Sequence, residues 1–217
     1  MASHDVFSGN SQRIRLLVVD DHPAVRNGLA AFIAEQADLA LVAAAENGAR
    51  AVELYREHHP DVVLMDLRMP VLDGVEAIRS ITAEFPSARI LALTTYEGDA
   101  DIRRALEAGA RGYLLKDMLL TQVITAVRAV HRGERVIPSA VAERLAEFPP
   151  RSDLTGREVE VLQLVARGLS NKEVARAIGR TSETVKIHLK SIFTKLDVAD
   201  RTEAVTMALS RGLIHLE

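Results

Sequence analysis

Apolar and polar positions alternate on two different periods along this chain, and the change of period divides it. In the first part, short apolar runs at 14–19, 39–44, 62–65, 90–93 and 112–115 are separated by amphipathic stretches at 23–36, 48–58, 74–85 and 99–108, with another at 119–131. Runs of four to six residues, mostly apolar, predict strands buried on both faces, because an exposed face would show every second residue polar. In the last stretch Leu120, Val123, Ile124, Val127 and Val130 recur at three- and four-residue steps, the spacing of one helical face. Strict alternation of strand and helix predicts a doubly wound α/β fold, a five-stranded parallel sheet covered by helices on both sides.

Beyond residue 133 the strand period disappears. A short helix is expected over 138–147, with Val141, Leu145 and Phe148 on one side. Pro149-Pro150 then interrupts regular structure, since proline donates no hydrogen bond and restricts its predecessor. From residue 154 four helical patterns follow. Thr155 with Glu158, and Ser170 with Glu173, have the spacing of capping boxes. Thr181 caps a third helix, and Gly168 and Gly179 punctuate. A two-turn helix, a tight glycine turn and a longer helix predict a helix-turn-helix. The chain therefore divides into a tail at 1–12, a first domain at 13–133, a linker at 134–153 and a smaller all-α domain at 154–217.

Composition narrows the class. Of 217 residues, 48% are hydrophobic and 26% charged, as in a globular protein. There is no apolar run long enough for a bilayer and no secretory signal at the start, so no membrane partner is expected. No cysteine is present, which removes disulfides and thiolate metal sites and fits a cytoplasmic location. The net charge of −3 is uneven: residues 1–150 carry 16 basic against 21 acidic side chains, and 151–217 carry 11 against 9. The two halves thus suit different partners.

Candidate chemistry gathers where strands end. In Asp61-Val-Val-Leu-Met-Asp66-Leu-Arg-Met-Pro70 an apolar strand delivers Asp66 at its carboxyl end. The first strand delivers Asp20 and Asp21, the fourth Thr94 and Thr95, and the fifth Lys116. In open α/β sheets these ends line one rim, where ligands bind. Three clustered carboxylates repel unless a cation neutralises them, and oxygen donors suit Mg²⁺. Such a rim can transfer a phosphoryl group to a carboxylate, with Asp66 as nucleophile. Blander readings stand beside this one. Asp20-Asp21 could cap the helix that starts at Pro23, Asp66 could be a turn residue, Thr94 an ordinary strand residue, and Lys116 a solvated strand end. In the third helix of the second domain, Thr184, Lys186, Ile187, Lys190 and Lys195 are expected to be exposed, as a DNA-reading face or as a solvated one.

Val19-Asp20-Asp21-His22, Met65-Asp66-Leu-Arg-Met-Pro70 with Asp73-Gly74, Thr94, and Gly109-Ala-Arg-Gly-Tyr113-Leu-Leu-Lys116 resemble the flavodoxin-like receiver domain of bacterial response regulators. Leu154-Thr-Gly-Arg-Glu158-Val-Glu-Val-Leu162, Gly168-Leu-Ser-Asn-Lys-Glu173-Val-Ala175 and Thr184-Val-Lys-Ile-His-Leu-Lys190 resemble the LuxR-type DNA-binding domain. Together they resemble the NarL/FixJ response regulators over residues 13–213. The resemblance implies a two-component transcription regulator rather than an enzyme. Asp66 would accept a phosphoryl group from a sensor histidine kinase. Asp20 (through water), Asp21, Asp66 and the main-chain carbonyl of Arg68 would hold Mg²⁺. Thr94 and Tyr113 would act as switch residues, and Lys116 would pair with the phosphate. The family's interval back from Lys116 selects Thr94 over Thr95. Lys186, Ile187 and Lys190 would face the major groove of double-stranded DNA, Lys172, Thr181 and Thr184 would lie at its backbone, and the last helix would pair two subunits in an active homodimer. His188 is taken as a packing or phosphate-contact residue. Arg180 departs from the family pattern, where an aliphatic residue is common.

Two rivals are weighed against this. A phosphohydrolase with an aspartyl-phosphate intermediate usually carries a second carboxylate two residues after the nucleophile, and here that position is Arg68. A regulator that ignores phosphate would show a damaged acidic rim, and here Asp20, Asp21, Asp66 and Lys116 are all present.

Overall fold

The computed structural model describes residues 13–95, 98–147 and 154–215. The tail expected at 1–12 and the linker at 148–153, with Phe148 and the proline pair, lie outside the described residues.

The five apolar runs form β1 (Ile14–Val19), β2 (Leu39–Ala45), β3 (Val62–Asp66), β4 (Ile90–Thr94) and β5 (Gly112–Leu115). All pair in parallel, in the order β2-β1-β3-β4-β5. Helices α1 (Pro23–Ala34), α2 (Gly48–His58), α3 (Gly74–Glu84), α4 (Asp99–Glu107) and α5 (Leu120–His131) alternate with them. This is the doubly wound order in which the winding across the sheet reverses between β1 and β3, and such a reversal opens a crevice at the carboxyl ends of those two parallel strands. The core between strands and helices is aliphatic: Leu16, Val18, Leu64, Leu91, Ile124 and Val127 are buried together. On α5 the predicted stripe is buried at Val123, Ile124, Val127 and Val130, but Leu120 is exposed, because it occupies the first turn, beyond the edge of the core.

Helices α6 (Ser139–Glu147), α7 (Gly156–Ala166), α8 (Asn171–Ala177), α9 (Ser182–Leu196) and α10 (Arg201–Ser210) follow. Both predicted capping boxes form, Thr155 with Glu158 and Ser170 with Glu173. Thr181 caps α9. Gly168 and Gly179 take φ of +86° and +65°, left-handed turns open to a residue without a Cβ. Val161, Leu162, Val174, Val185, Ile192, Ala204 and Ala208 make a second, separate core.

By their contacts the residues form two compact units. One holds the five strands and ends at Val136. The other joins Ile137–Glu217 with the segment Thr95–Arg104, although that segment lies between β4 and β5 in sequence. Within this second unit Arg211 grips the buried Asp99 in a two-pronged ion pair, Nε to Oδ1 at 3.0 Å and Nη2 to Oδ2 at 2.9 Å.

Candidate functional site

Each strand end delivers its polar residue for a local reason. β1 stops where Leu-Leu-Val-Val gives way to Asp20-Asp21, and Asp20 NH still bonds Ala45 O at 3.1 Å. Helix α1 begins at Pro23, but its N-cap is His22, with no side-chain capping bond. The carboxylates of Asp20 and Asp21 are therefore not consumed in capping. β3 runs one residue further than the apolar pattern, so Asp66 is its last residue. The N-cap of α3 is Asp73, not Asp66. Gly74 lets α3 start against the main chain of Asp66: a Cβ there would stand 2.0 Å from the main-chain oxygen of Asp66. Thr94 ends β4, and its main-chain oxygen accepts from Lys116 NH at 2.7 Å.

The side chains converge. Asp20 and Asp66 are 1% and 3% exposed, and Thr94 is as deeply buried. Lys116 Nζ lies 2.6 Å from Asp20 Oδ2 and 2.8 Å from Asp66 Oδ2. Asp66 Oδ1 accepts from Arg68 NH at 3.2 Å. One donor atom from each of Asp20, Asp21, His22 and Asp66 lies within 4.8 Å of the others. Tyr113 is fully buried in this structure. Burial raises the pKa of Asp66 despite the opposing pull of Lys116. Burial would lower the pKa of Lys116, but its bonds to Asp20 and Asp66 outweigh that and raise it. Asp20 and Asp66 thus share the Lys116 ammonium, with the Asp21 carboxylate alongside, an arrangement short of positive charge. Their oxygens are hard donors gathered within 4.8 Å of one another, and in donor type the residues present fit Mg²⁺.

On α9 the exposed row is Glu183, Lys186, Ile187, Lys190 and Thr194. Ile187 is 64% exposed on an otherwise polar face. Lys186 Nζ pairs with Glu183 at 3.0 Å in full solvent, a weak contact easily exchanged. Lys172 on α8 and Thr181 at the N-cap of α9 are exposed, and Thr184 is half-buried with its hydroxyl 3.0 Å from that of Thr181. His188 is half-buried. Arg180 is exposed, its backbone NH closing the turn onto Ala175 O at 2.8 Å.

Lys195 corrects the expected exposed face. It turns inward, and Nζ lies 2.7 Å from Oε2 of the buried Glu158. Glu158 also accepts from Ser191 Oγ at 2.7 Å and from Thr155 NH at 2.7 Å. Burial alone would raise the Glu158 pKa, but Lys195, Ser191 and Thr155 together bring it down to about 2. Sequence spacing identifies Glu158 as a cap, whereas its grip on α9 spans 33 and 37 residues and leaves no local signature. His22 also lies in the donor cluster, and its signal in the sequence is that it adjoins Asp20-Asp21.

The family described as "Response regulator receiver domain" matches residues 16–128, and "Bacterial regulatory proteins, luxR family" matches 152–208. The transcriptional regulatory protein LnrK of Bacillus subtilis is 41% identical over 216 residues, covering 92% of this chain and 98% of LnrK. LiaR of the same organism is 40% identical, covering 93% of this chain and all of LiaR. Among solved structures, the response regulator ChrA of a heme-sensing two-component system matches with a TM-score of 0.56 at 39% identity, over 93% of this chain and 99% of ChrA. The RcsB–DNA complex matches with a TM-score of 0.65 at 27% identity, over 92% of this chain and 99% of RcsB. With both family matches in their expected places, the chain belongs to the LuxR-type (NarL/FixJ) response regulators of two-component systems, transcription regulators and not enzymes.

Proposed function

We propose that Asp66 accepts a phosphoryl group from the phosphohistidine of a sensor kinase, and that this controls sequence-specific DNA binding by a dimer. The observation that carries the reading is Lys116 Nζ, set between Asp20 Oδ2 and Asp66 Oδ2 at a crevice where two further donors converge. An Asp66 oxygen attacks phosphorus in line, the P–N bond breaks, and the histidine leaves with the bonding pair. Asp20, Asp21, Asp66 and the carbonyl of Arg68 would hold Mg²⁺, whose charge offsets that of the phosphoryl oxygens. Lys116 exchanges a carboxylate for the new phosphate, and the Thr94 hydroxyl supplies a further donor. Tyr113, buried in this structure, fills the space that Thr94 vacates as its hydroxyl swings onto the phosphoryl oxygens. The receiver domain spans 13–133, the linker 134–153 and the DNA-binding domain 154–217.

At the other end, Lys186 and Lys190 donate to guanine edges or phosphates, and Ile187 meets a thymine methyl. Lys172, Thr181 and Thr184 bind the backbone. The RcsB–DNA complex, a relative with the same two parts, supports this docking. A regulator that reads chromosomal DNA works in the bacterial cytoplasm.

Acetyl phosphate with Mg²⁺ tests the switch on the full chain. Wild type gains one acid-labile phosphoryl group by intact mass and tightens on a duplex selected from random sequence, whereas Asp66→Asn does neither. Equal labelling of both proteins overturns the assignment of Asp66, and equal binding with and without phosphate overturns the switch.

A further inference from the structure

Arg26 has no part in the mechanism above, and its place on α1 works against the helix. It lies in the first turn, whose exposed NH groups form the positive end of the helix dipole, and that turn holds no acidic side chain. A cation is disfavoured there. Among the described residues the guanidinium makes no ion pair; it reaches back, and Nη1 donates to the main-chain oxygen of Asp20 at 2.5 Å. That oxygen lies one residue past β1, whose pairing with β3 stops at Val19. A carbonyl that leaves a ladder needs another donor, and a charged donor makes a stronger bond than a neutral one. Asp20 NH on Ala45 O at 3.1 Å and His22 NH on Asp20 Oδ1 at 2.9 Å complete the hold on this turn. Asp20 is anchored further by Lys116 Nζ at 2.6 Å. Asp21 is not. Its carboxylate, 31% exposed, pairs among the described residues only with the 70% exposed imidazole of His22, a weak restraint in solvent. The aim of the Asp21 side chain therefore depends on its backbone, and the peptide that precedes it is the one Arg26 grips.

We infer that Arg26 is a positioning residue: by holding the Asp20 carbonyl it aims the Asp21 carboxylate into the acidic pocket, and so sets the affinity for Mg²⁺ rather than the rate of phosphoryl transfer. This rests on the reading of that pocket as a cation site. Two roles for a cation at this place predict opposite signs. Acting through its charge alone, Arg26 repels Mg²⁺, and its loss tightens binding. Acting through Asp21, it keeps an oxygen ligand in place, and its loss weakens binding, as removal of a ligand's supporting partner does by about ten- to a hundredfold. The bond geometry favours the second role, because the guanidinium is spent on a carbonyl and not on a carboxylate.

Calorimetry with Mg²⁺ alone, on the full chain, reads the sign. Arg26→Met keeps the length of the stem but neither charge nor donor, and should weaken Mg²⁺ about tenfold or more. With acetyl phosphate as donor, the Mg²⁺ concentration for half-maximal phosphorylation of Asp66 rises in parallel, while the rate at saturating Mg²⁺ stays within about twofold of wild type. A merely structural role would lower the melting temperature of the metal-free protein and leave that half-saturation where it was. Equal or tighter Mg²⁺ binding by Arg26→Met overturns the inference and leaves the acidic pocket standing, as does a fall in maximal rate with half-saturation unchanged. Should Arg26→Met not fold, Arg26→Gln, neutral and too short to reach Asp20, is read by the same criteria. Wild type that binds no Mg²⁺ overturns the reading of the pocket itself.

Discussion

Replacing Glu158 with glutamine should unpin the DNA-binding unit. In the native fold one carboxylate caps α7 through Thr155 and holds α9 through Ser191 and Lys195, at distances of 2.7 to 2.9 Å. Its pKa falls from the ordinary 4.5 to about 2, which at about 1.4 kcal/mol per pH unit corresponds to about 3 kcal/mol of stabilisation near neutrality. Glutamine keeps the shape but removes the negative charge that faces the Lys195 ammonium and turns an amide toward donors. Native-state hydrogen exchange at pH 7, resolved over α7 and α9, should show the most protected amides exchanging about a hundredfold faster in Glu158→Gln. The pH dependence has a fixed sign. A carboxylate whose pKa is depressed by folding contributes in full above about 4.5, and that contribution is lost as pH falls toward about 2. The gap between wild type and variant should therefore close over that window. A penalty below about 1 kcal/mol at pH 7, or one undiminished at pH 2.5, would refute the assigned charge network.

Lys116→Met removes the ammonium shared by two buried carboxylates and should destabilise the receiver unit by about 3 kcal/mol. Millimolar Mg²⁺ should raise the melting temperature of that variant more than that of wild type, and an equal rise in both would refute charge deficit as the cause. Val71 is 86% exposed with φ of +72°, a left-handed conformation that a β-branched side chain adopts under strain. Val71→Gly should stabilise the receiver unit by about 0.5–1 kcal/mol, the relief of strain exceeding the added freedom of the unfolded chain; chemical denaturation reads the sign. Lys190→Ala should weaken DNA binding and lower the slope of log affinity against log salt by about 0.9 if the ammonium neutralises one phosphate. An unchanged slope with relaxed sequence preference would assign it to a base edge.

Much of this was legible in one dimension. Apolar runs of strand length, stripes at helical spacing and caps followed three residues later by Glu depend only on each element's own sequence, and those elements form within one or two residues of where the pattern placed them. The position of Asp66 at a strand end is of this kind. Which strands stand side by side is not, because pairing joins residues far apart in the chain: the order β2-β1-β3 sets Asp20 beside Asp66. Tertiary structure also decided that His22 takes the cap position, that Lys116 lies between two carboxylates, that Lys195 turns in to Glu158 and that Leu120 faces out. Each of these depends on how an element is rotated against its neighbours and on a charge supplied from elsewhere. Local periodicity names the buried face of a helix, but only packing determines where that face ends and which partner meets it.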